Sequence, residues 1–166
     1  MEFVEKINNF SKHGIPFITI CDFSMDECIV CELGDAQKKG IFFEFGCLEG
    51  YEKGLSIKKA KLLKEPPPFD EYRKKFDFII DEIKNGNVYL LNLCCKSEIK
   101  TDLSLEEIYR YAKAPFKLYL KDRFVSFTPE PFVSIKGDRI TTNPMKGTIN
   151  ANIKNAKELL LGSEKE

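Results

Sequence analysis

Residues 132–148 read FVSIKGDRITTNPMKGT, and this stretch predicts a β-hairpin that is followed by a lysine. Phe132–Ile135 has the composition of one strand and Arg139–Thr142 that of the other. The dipeptide Gly137-Asp138 between them is typical of a two-residue hairpin turn. If these two residues form the turn, the numbers of paired residues sum to 275 along the whole hairpin.

The open end of this hairpin brings a carboxylate and an amine near each other. The register places Glu130 opposite Met145, one residue from Lys146. In a regular ladder Lys146 takes the opposite face, because successive side chains alternate. Only an irregular exit, which Pro144 and Gly147 permit, would bring the two charges to one side. A lysine held away from bulk water loses basicity, and its neutral amine is a nucleophile.

Composition excludes several classes of function. The chain has 166 residues, enough for one domain with a core, and 26 basic residues balance 26 acidic ones. This balance argues against a nucleic-acid partner. Apolar runs are too short to span a membrane, and the N-terminus lacks the apolar core of a signal peptide. We therefore expect a cytoplasmic protein that contacts neither nucleic acid nor membrane.

The cysteines and the single histidine do not form a recognisable catalytic or metal site. Cys28-x-x-Cys31 has the spacing of a zinc pair, but zinc needs a second pair, and Cys94 and Cys95 would point to opposite faces of a strand. We expect reduced, mostly buried thiols. His13 precedes a glycine in a turn-like segment, so we expect a surface or partly buried residue and no Ser-His-Asp or Cys-His enzyme.

The first third of the chain is rich in predicted strands. Residues 16–21, 27–32 and 41–46 are short, apolar and separated by turn residues. A stiff run of prolines, 66–68, follows. We therefore expect an N-terminal β-rich region over residues 1–64.

The rest of the chain alternates helices and strands. Aromatic and aliphatic residues at helical spacing predict a helix from Phe69 to Ile83, stopped by Gly86, with its apolar face in the core. A strand is predicted at Val88–Ile99. Ser104 and Glu107 then have the spacing of a capping box, which predicts a short helix.

Two further elements complete the prediction. Phe116–Leu120 and Arg123–Phe127 should form a hairpin around Lys121-Asp122. Asn155–Glu166 should be a helix, and because it has no stop signal we expect the chain to continue in a longer parent protein.

Four segments, in order and with matching spacing, resemble the chorismate-utilising enzymes. The family's Gly-Asp-x-Tyr-x-x-Asn-Leu is similar to residues 86–93, its Ser-Pro-Glu-x-Phe to 128–132, its Pro-Ile-Lys-Gly-Thr to 144–148 and its Ser-x-Lys-Asp to 163–166. Within the family, the chain most resembles component I of aminodeoxychorismate synthase, also called para-aminobenzoate synthase.

This resemblance implies an α+β fold. The family pairs orthogonally packed, mostly antiparallel sheets with flanking helices, and the chain would be its N-terminal portion. Residues 69–166 would be the first part of the chorismate-binding domain, truncated before the metal-binding segment. We therefore expect no metal ligand in this chain, no activity of the fragment alone, and self-association through exposed apolar surface.

The resemblance also implies a reaction. Chorismate and ammonia would give 4-amino-4-deoxychorismate, on the route to para-aminobenzoate and folate. Lys146 would be the nucleophile, Glu130 the general acid/base, and Gly147 and Thr148 would contact substrate. The complete enzyme would use Mg²⁺ and take its ammonia from a glutamine amidotransferase subunit.

Other interpretations stay open at this point. Anthranilate and isochorismate synthases resemble the same family but usually have alanine at the position of Lys146. The chain could also be a non-catalytic module that binds the amidotransferase or a regulatory amino acid. Lys146 could be a solvated turn lysine and Glu130 a plain carboxylate at a strand start. Phe116 matches a segment that lines a tryptophan pocket in some relatives, although we expect it in the core.

Overall fold

A helix and a tight hairpin begin the fold in the computed structural model, which describes residues 2–46, 48–49, 60–128, 131–142, 149–150 and 152–162. The helix is α1 (Glu2–Lys12), and the hairpin pairs β1 (Phe17–Cys21) with β2 (Cys28–Glu32). Sequence analysis missed α1, although its apolar residues recur at helical spacing. Its Phe10 ring packs 5.7 Å from that of Phe17, which anchors the helix to the hairpin.

The remaining helices and strands follow in chain order. They are β3 (Ile41–Phe45), β4 (Leu48–Glu49), β5 (Leu62–Glu65), α2 (Phe69–Lys84), β6 (Glu98–Thr101), α3 (Leu105–Tyr111), β7 (Phe116–Leu120), β8 (Phe124–Thr128), β9 (Ser134–Lys136), β10 (Arg139–Thr141) and α4 (Ala156–Leu161). The strands at 17–21, 28–32 and 41–45 confirm the three predicted in the N-terminal region.

One four-stranded sheet organises the centre of the fold. Its order is β4-β3-β7-β8, and every neighbouring pair is antiparallel. The β1–β2 hairpin packs against this sheet, and the two share a buried cluster: Ile18, Cys31, Ala36, Ile41, Phe43 and Leu120. Antiparallel sheets combined with helices confirm the predicted α+β class.

Two strand pairings join the regions before and after the proline run. β3 pairs with β7, and β5 pairs with β6. The predicted division between residues 1–64 and 69–166 stays a prediction, and strands from its two sides share sheets.

Local sequence signals around α3 are confirmed in detail. The Ser104 hydroxyl accepts a hydrogen bond from the Glu107 backbone N–H at 3.2 Å, and the Glu107 carboxylate accepts one from the Ser104 N–H at 2.9 Å. This is the reciprocal capping box that the spacing predicts. The predicted β7–β8 hairpin is also present, with β8 beginning one residue later than expected, at Phe124.

The prediction that the apolar face of α2 lies in the core is wrong for the described part of the chain. The helix has nearly the predicted bounds but buries none of its residues. On the predicted apolar face, Phe69 and Phe76 are 68% and 43% exposed. A helical stripe is buried only where another element covers it, and among the described residues nothing covers this one. Phe116, also expected in the core, is half-buried.

The predicted strand at Val88–Ile99 is also wrong over most of its length. Residues 87–97 form no regular structure, and pairing begins only at Glu98, in β6. A run of β-forming residues becomes a strand only when a neighbour accepts its backbone hydrogen bonds. Tyr89 is 96% exposed, and its segment has no such neighbour in the described regions.

The C-terminal helix is shorter than predicted within the described residues. α4 covers Ala156–Leu161 and is followed by Gly162, and the predicted continuation over 163–166 lies outside the described residues. None of the helices described in the structure is long and apolar enough to cross a membrane.

Candidate active site

The four residues that sequence analysis assigns to the site lie outside the described residues. Glu130 falls in the gap 129–130, and Lys146, Gly147 and Thr148 fall in the gap 143–148. Their roles therefore stay predictions. The structure does describe the strands that lead to and from them, and these strands test the predicted register.

The hairpin that precedes Lys146 has the predicted turn and register. β9 and β10 pair as Arg139 with Lys136, Ile140 with Ile135 and Thr141 with Ser134, so each pair sums to 275. Gly137 has a φ of 56°, a conformation that glycine adopts at little cost in such turns. The part of the register argument that falls on described residues is therefore confirmed. A continuation of this register places Glu130 opposite Met145.

The two faces of the hairpin differ in polarity. Ile135 and Ile140 pair on one face and are 65% and 68% exposed. Ser134 and Thr141 pair on the other. By alternation, a regular extension would place Lys146 on the isoleucine face and Glu130 on the polar face.

The regular ladder ends before it reaches the predicted site. The last pair is Thr141 with Ser134, and the backbone bends at Phe132, whose side chain is 92% exposed. An irregular exit is the condition under which the Glu130 carboxylate and the Lys146 amine could share a side. The bend supplies that irregularity on the strand that follows Glu130.

An ion pair between buried Lys117 and half-buried Glu44 fixes α3 against the sheet whose edge strand, β8, leads into Glu130. The Lys117 ammonium lies 2.7 Å from the Glu44 carboxylate and donates to the backbone carbonyls of Tyr109 and Ala112 at 3.1 and 3.2 Å. It also lies 4.9 Å from the centre of the Tyr109 ring. Those two carbonyls belong to the C-terminal end of α3, where the helix dipole favours a cation.

Sequence analysis missed this arrangement. Lys117 lies between hydrophobic residues in β7, and simple alternation along a strand predicts that such a lysine faces solvent. It is nevertheless only 5% exposed. Only the pairing of Glu44 with Lys117 across β3 and β7, which is not visible in the sequence, brings the two charges together.

The prediction that the cysteines are mostly buried is wrong for those that the structure describes, and Cys47 lies outside the described residues. Five of them are described and are free thiols, and of these only Cys31 is buried. Cys94 is exposed in the irregular segment, and Cys21 at the end of β1. Burial raises the pKa of the Cys31 thiol.

The Cys28-x-x-Cys31 motif does not form a metal pair. Cys31 belongs to the core cluster, whereas Cys28 lines a cleft beside α1. Residues three apart in a strand point to opposite faces, which explains the separation. Among described residues, no three His, Cys, Asp or Glu side chains are grouped to hold a metal ion. His13 is exposed, as expected, and its Nδ1 lies 2.8 Å from the Asn9 carbonyl oxygen.

Comparison with known proteins shows which family this chain resembles over most of its length. The family described as chorismate binding enzyme matches residues 35–166. An uncharacterized PabA-like protein from Haemophilus influenzae is 39% identical over 164 residues, which is 99% of this chain and 50% of that protein. A second one, from Pasteurella multocida, is 39% identical over 166 residues, 99% of this chain and 51% of that protein. The chain thus spans about half the length of the curated relatives it matches. No solved structure matches it.

Proposed function

The chain belongs to the chorismate binding enzyme family, and on that basis we propose that the protein containing it is component I of aminodeoxychorismate synthase. The reaction would convert chorismate and ammonia to 4-amino-4-deoxychorismate in the cytoplasm, as a step toward para-aminobenzoate and folate. A glutamine amidotransferase subunit would supply the ammonia.

The observation that carries this proposal is Lys146 in the sequence Pro-Met-Lys-Gly-Thr, residues 144–148. Related chorismate enzymes that add ammonia or water at ring carbon C2 usually have alanine at this position. An amine here favours the branch in which the enzyme itself attacks C2, so that the incoming group reaches C4.

In the proposed reaction Lys146 acts as a covalent catalyst. Its neutral amine forms a bond to C2 while the ring double bond shifts and the C4 hydroxyl leaves. Ammonia then bonds to C4, the double bond shifts back, and the C2–nitrogen bond breaks to restore the lysine. One difficult substitution thereby becomes two easier ones.

Glu130 would handle the protons of both steps. Hydroxide is a poor leaving group, so the protonated Glu130 would give its proton to the departing oxygen, which leaves as water. The resulting carboxylate would accept a proton from the ammonium that forms at C4. Two observations support this role. The β9–β10 register, if continued, brings Glu130 within one residue of the position opposite Lys146. The bend at Phe132 breaks the regular alternation that would otherwise place the two residues on opposite faces.

The other parts of the site are assigned by resemblance. Gly147 and Thr148 would contact the substrate. Mg²⁺, when bound, would hold the substrate carboxylate. Its ligands are expected beyond Glu166, so no residue of this chain is assigned to it.

The test uses the complete protein, with chorismate, Mg²⁺ and ammonium, and product identification by chromatography and mass spectrometry. We expect Lys146→Ala to abolish formation of 4-amino-4-deoxychorismate and Glu130→Gln to lower its rate by about a hundredfold or more. The matched control is Lys136→Ala, which removes an exposed lysine from β9 of the same hairpin and should leave the rate unchanged. Circular dichroism would verify that each variant folds.

The product separates this proposal from the alternatives. Anthranilate or isochorismate from the wild-type protein would show the chemistry of the other branches. No product from chorismate, together with binding of an amidotransferase, would favour a non-catalytic module. Equal rates for wild type and Lys146→Ala would refute the role of the amine.

A further inference from the structure

One cysteine of the Cys-x-x-Cys motif, Cys28, is a direct neighbour in the fold of a cysteine outside that motif, Cys21. Cys21, the last residue of β1, is the register partner of Cys28, the first residue of β2. The Cys28 thiol also donates a hydrogen bond to the backbone carbonyl of Met25, at 3.8 Å. No spacing rule for cysteines marks this pair in the sequence, since six ordinary residues separate them.

The backbone hydrogen bonds show which kind of pair this is. The N–H of Asp22 donates to the carbonyl of Glu27 at 3.2 Å, so these two form the hydrogen-bonded position just beyond the cysteines. Hydrogen-bonded and non-hydrogen-bonded positions alternate along an antiparallel ladder. Cys21 and Cys28 therefore occupy a non-hydrogen-bonded position, where Cα atoms lie about 4.5 Å apart and side chains are closest. This spacing falls within the range of about 4.4–6.8 Å found for disulfides.

The position of the pair allows a bond to form without rearranging the core. The neighbouring Ile20 and Ile29 pack toward the core cluster, and strand alternation puts the cysteines on the opposite face. An ion pair between Glu27 and Arg123, at 2.6 Å, also holds this end of the hairpin near the β7–β8 turn.

The pair is also accessible. Cys21 is exposed, and Cys28 lines an open cleft of about 660 Å³ together with Glu2, Phe3 and Lys6 of α1. That volume is comparable to the clefts that bind small molecules. The lining carries the Lys6 ammonium beside the Glu2 and Asp26 carboxylates, and oxidised glutathione carries both carboxylates and ammonium groups that can pair with them.

We propose that Cys21 and Cys28 are a redox modification site, which forms a reversible disulfide across the hairpin by exchange with oxidised glutathione. The Cys21 thiol loses its proton and attacks one sulfur of the glutathione disulfide, whose S–S bond breaks and releases one glutathione. The Cys28 thiol then loses its proton and attacks the Cys21 sulfur, which releases the second glutathione. The protein loses two electrons and two protons, and glutathione disulfide is reduced to two thiols.

The environment of Cys28 supports this order of events. Partial burial, the neighbouring Cys21 thiol and the nearby Asp22 and Asp26 carboxylates raise the pKa of Cys28 from 9.0 to about 11. A thiol that stays protonated is a slow first nucleophile. It can still resolve a mixed disulfide on Cys21, because the strand register already places the two residues opposite each other.

Peptide mapping of the complete protein tests the proposal. Trypsin should release residues 13–38 as one peptide that contains Cys21, Cys28 and Cys31, since no lysine or arginine lies inside it. After incubation with oxidised glutathione and alkylation of remaining thiols, we expect this peptide with one alkylated cysteine and two hydrogens missing. Dithiothreitol should restore three alkylation sites.

Three variants identify the bonded pair. Cys21→Ser and Cys28→Ser should each abolish the loss of two hydrogens, whereas Cys31→Ser should retain it. A wild-type peptide that is alkylated three times after oxidation, or that carries glutathione without losing two hydrogens, would overturn the proposal. So would a disulfide that persists in Cys21→Ser, because it would then join Cys28 to Cys31.

Discussion

Removing the Glu44 carboxylate should expose how much the fold depends on the buried Lys117 ammonium. In Glu44→Gln, Lys117 keeps its two carbonyl partners but loses its only described counter-charge, at 2.7 Å. Breaking a fully buried pair in this way costs about 3–5 kcal/mol. The Lys117 side chain is 6% exposed and that of Glu44 24%, so water can replace part of the lost interaction. We therefore expect the free energy of unfolding to fall by about 2–4 kcal/mol.

Urea denaturation followed by circular dichroism measures this loss. With a slope of about 2 kcal/mol per molar urea, the midpoint should fall by about 1–2 M. Asp35→Asn is the matched control. Its partner Lys38 lies at a similar distance, 2.9 Å, but the Lys38 and Asp35 side chains are 80% and 50% exposed, so the midpoint should hardly move.

A second substitution tests the reasoning by whether it raises or lowers the free energy of unfolding. Adding Lys117→Met to Glu44→Gln removes the uncompensated charge, so the double variant should be more stable than Glu44→Gln alone. The argument fails if Glu44→Gln shifts the urea midpoint as little as Asp35→Asn does. It also fails if adding Lys117→Met lowers the midpoint further.

Three further predictions follow from other parts of the fold. Burial and the nearby Glu44 raise the pKa of Tyr109 above its ordinary 10.0. The neutral hydroxyl of Tyr109 therefore contributes fully to stability below pH 10, and this contribution is lost as the pH rises further. In Tyr109→Phe, which cannot ionise, the urea midpoint should fall less steeply with pH in alkaline buffer. Ser104→Ala should cost about 1 kcal/mol by removing the α3 cap, and Ser104→Asp, which can still accept the hydrogen bond, should recover most of it in the same assay. The isolated 166-residue chain should bind a hydrophobic dye, self-associate in sedimentation and form no 4-amino-4-deoxychorismate. Phe78→Lys, which replaces an exposed aromatic residue of α2, should reduce the dye signal. A monomer that does not bind the dye would contradict the prediction.

Local patterns predicted local structure well. The turn Gly137-Asp138 and the cap of Ser104 with Glu107 depend on backbone geometry within a few residues, so the sequence alone was sufficient for both. The existence of α2 followed from periodicity in the same way.

Features that depend on distant partners were not predictable. Periodicity shows that α2 has an apolar face, but burial requires a covering element, and the described residues provide none. The segment 87–97 has the composition of a strand and lacks a described strand to pair with. The contacts of Lys117 with Glu44 and of Cys21 with Cys28 both arise from strand register.

The candidate site lies between these two cases. Its residues were identified by resemblance, and the turn confirmed the register of the strands beside them. The relative positions of Glu130 and Lys146 depend on the exit from the ladder, which alternation alone does not determine. Their proximity and their roles therefore stay predictions.

The pairing of β3 with β7 sets the order in which this protein can fold. Seventy residues lie between Phe45 and Phe116, against six between Cys21 and Cys28. By the logarithmic dependence of loop-closure entropy on length, closing the longer loop costs about 2 kcal/mol more. The first hairpin can thus form early, while the central sheet waits for a non-local encounter. During synthesis, the edge of β3 opposite β4 stays unpaired until β7 has left the ribosome, and this interval is when the nascent chain is most exposed to misassembly.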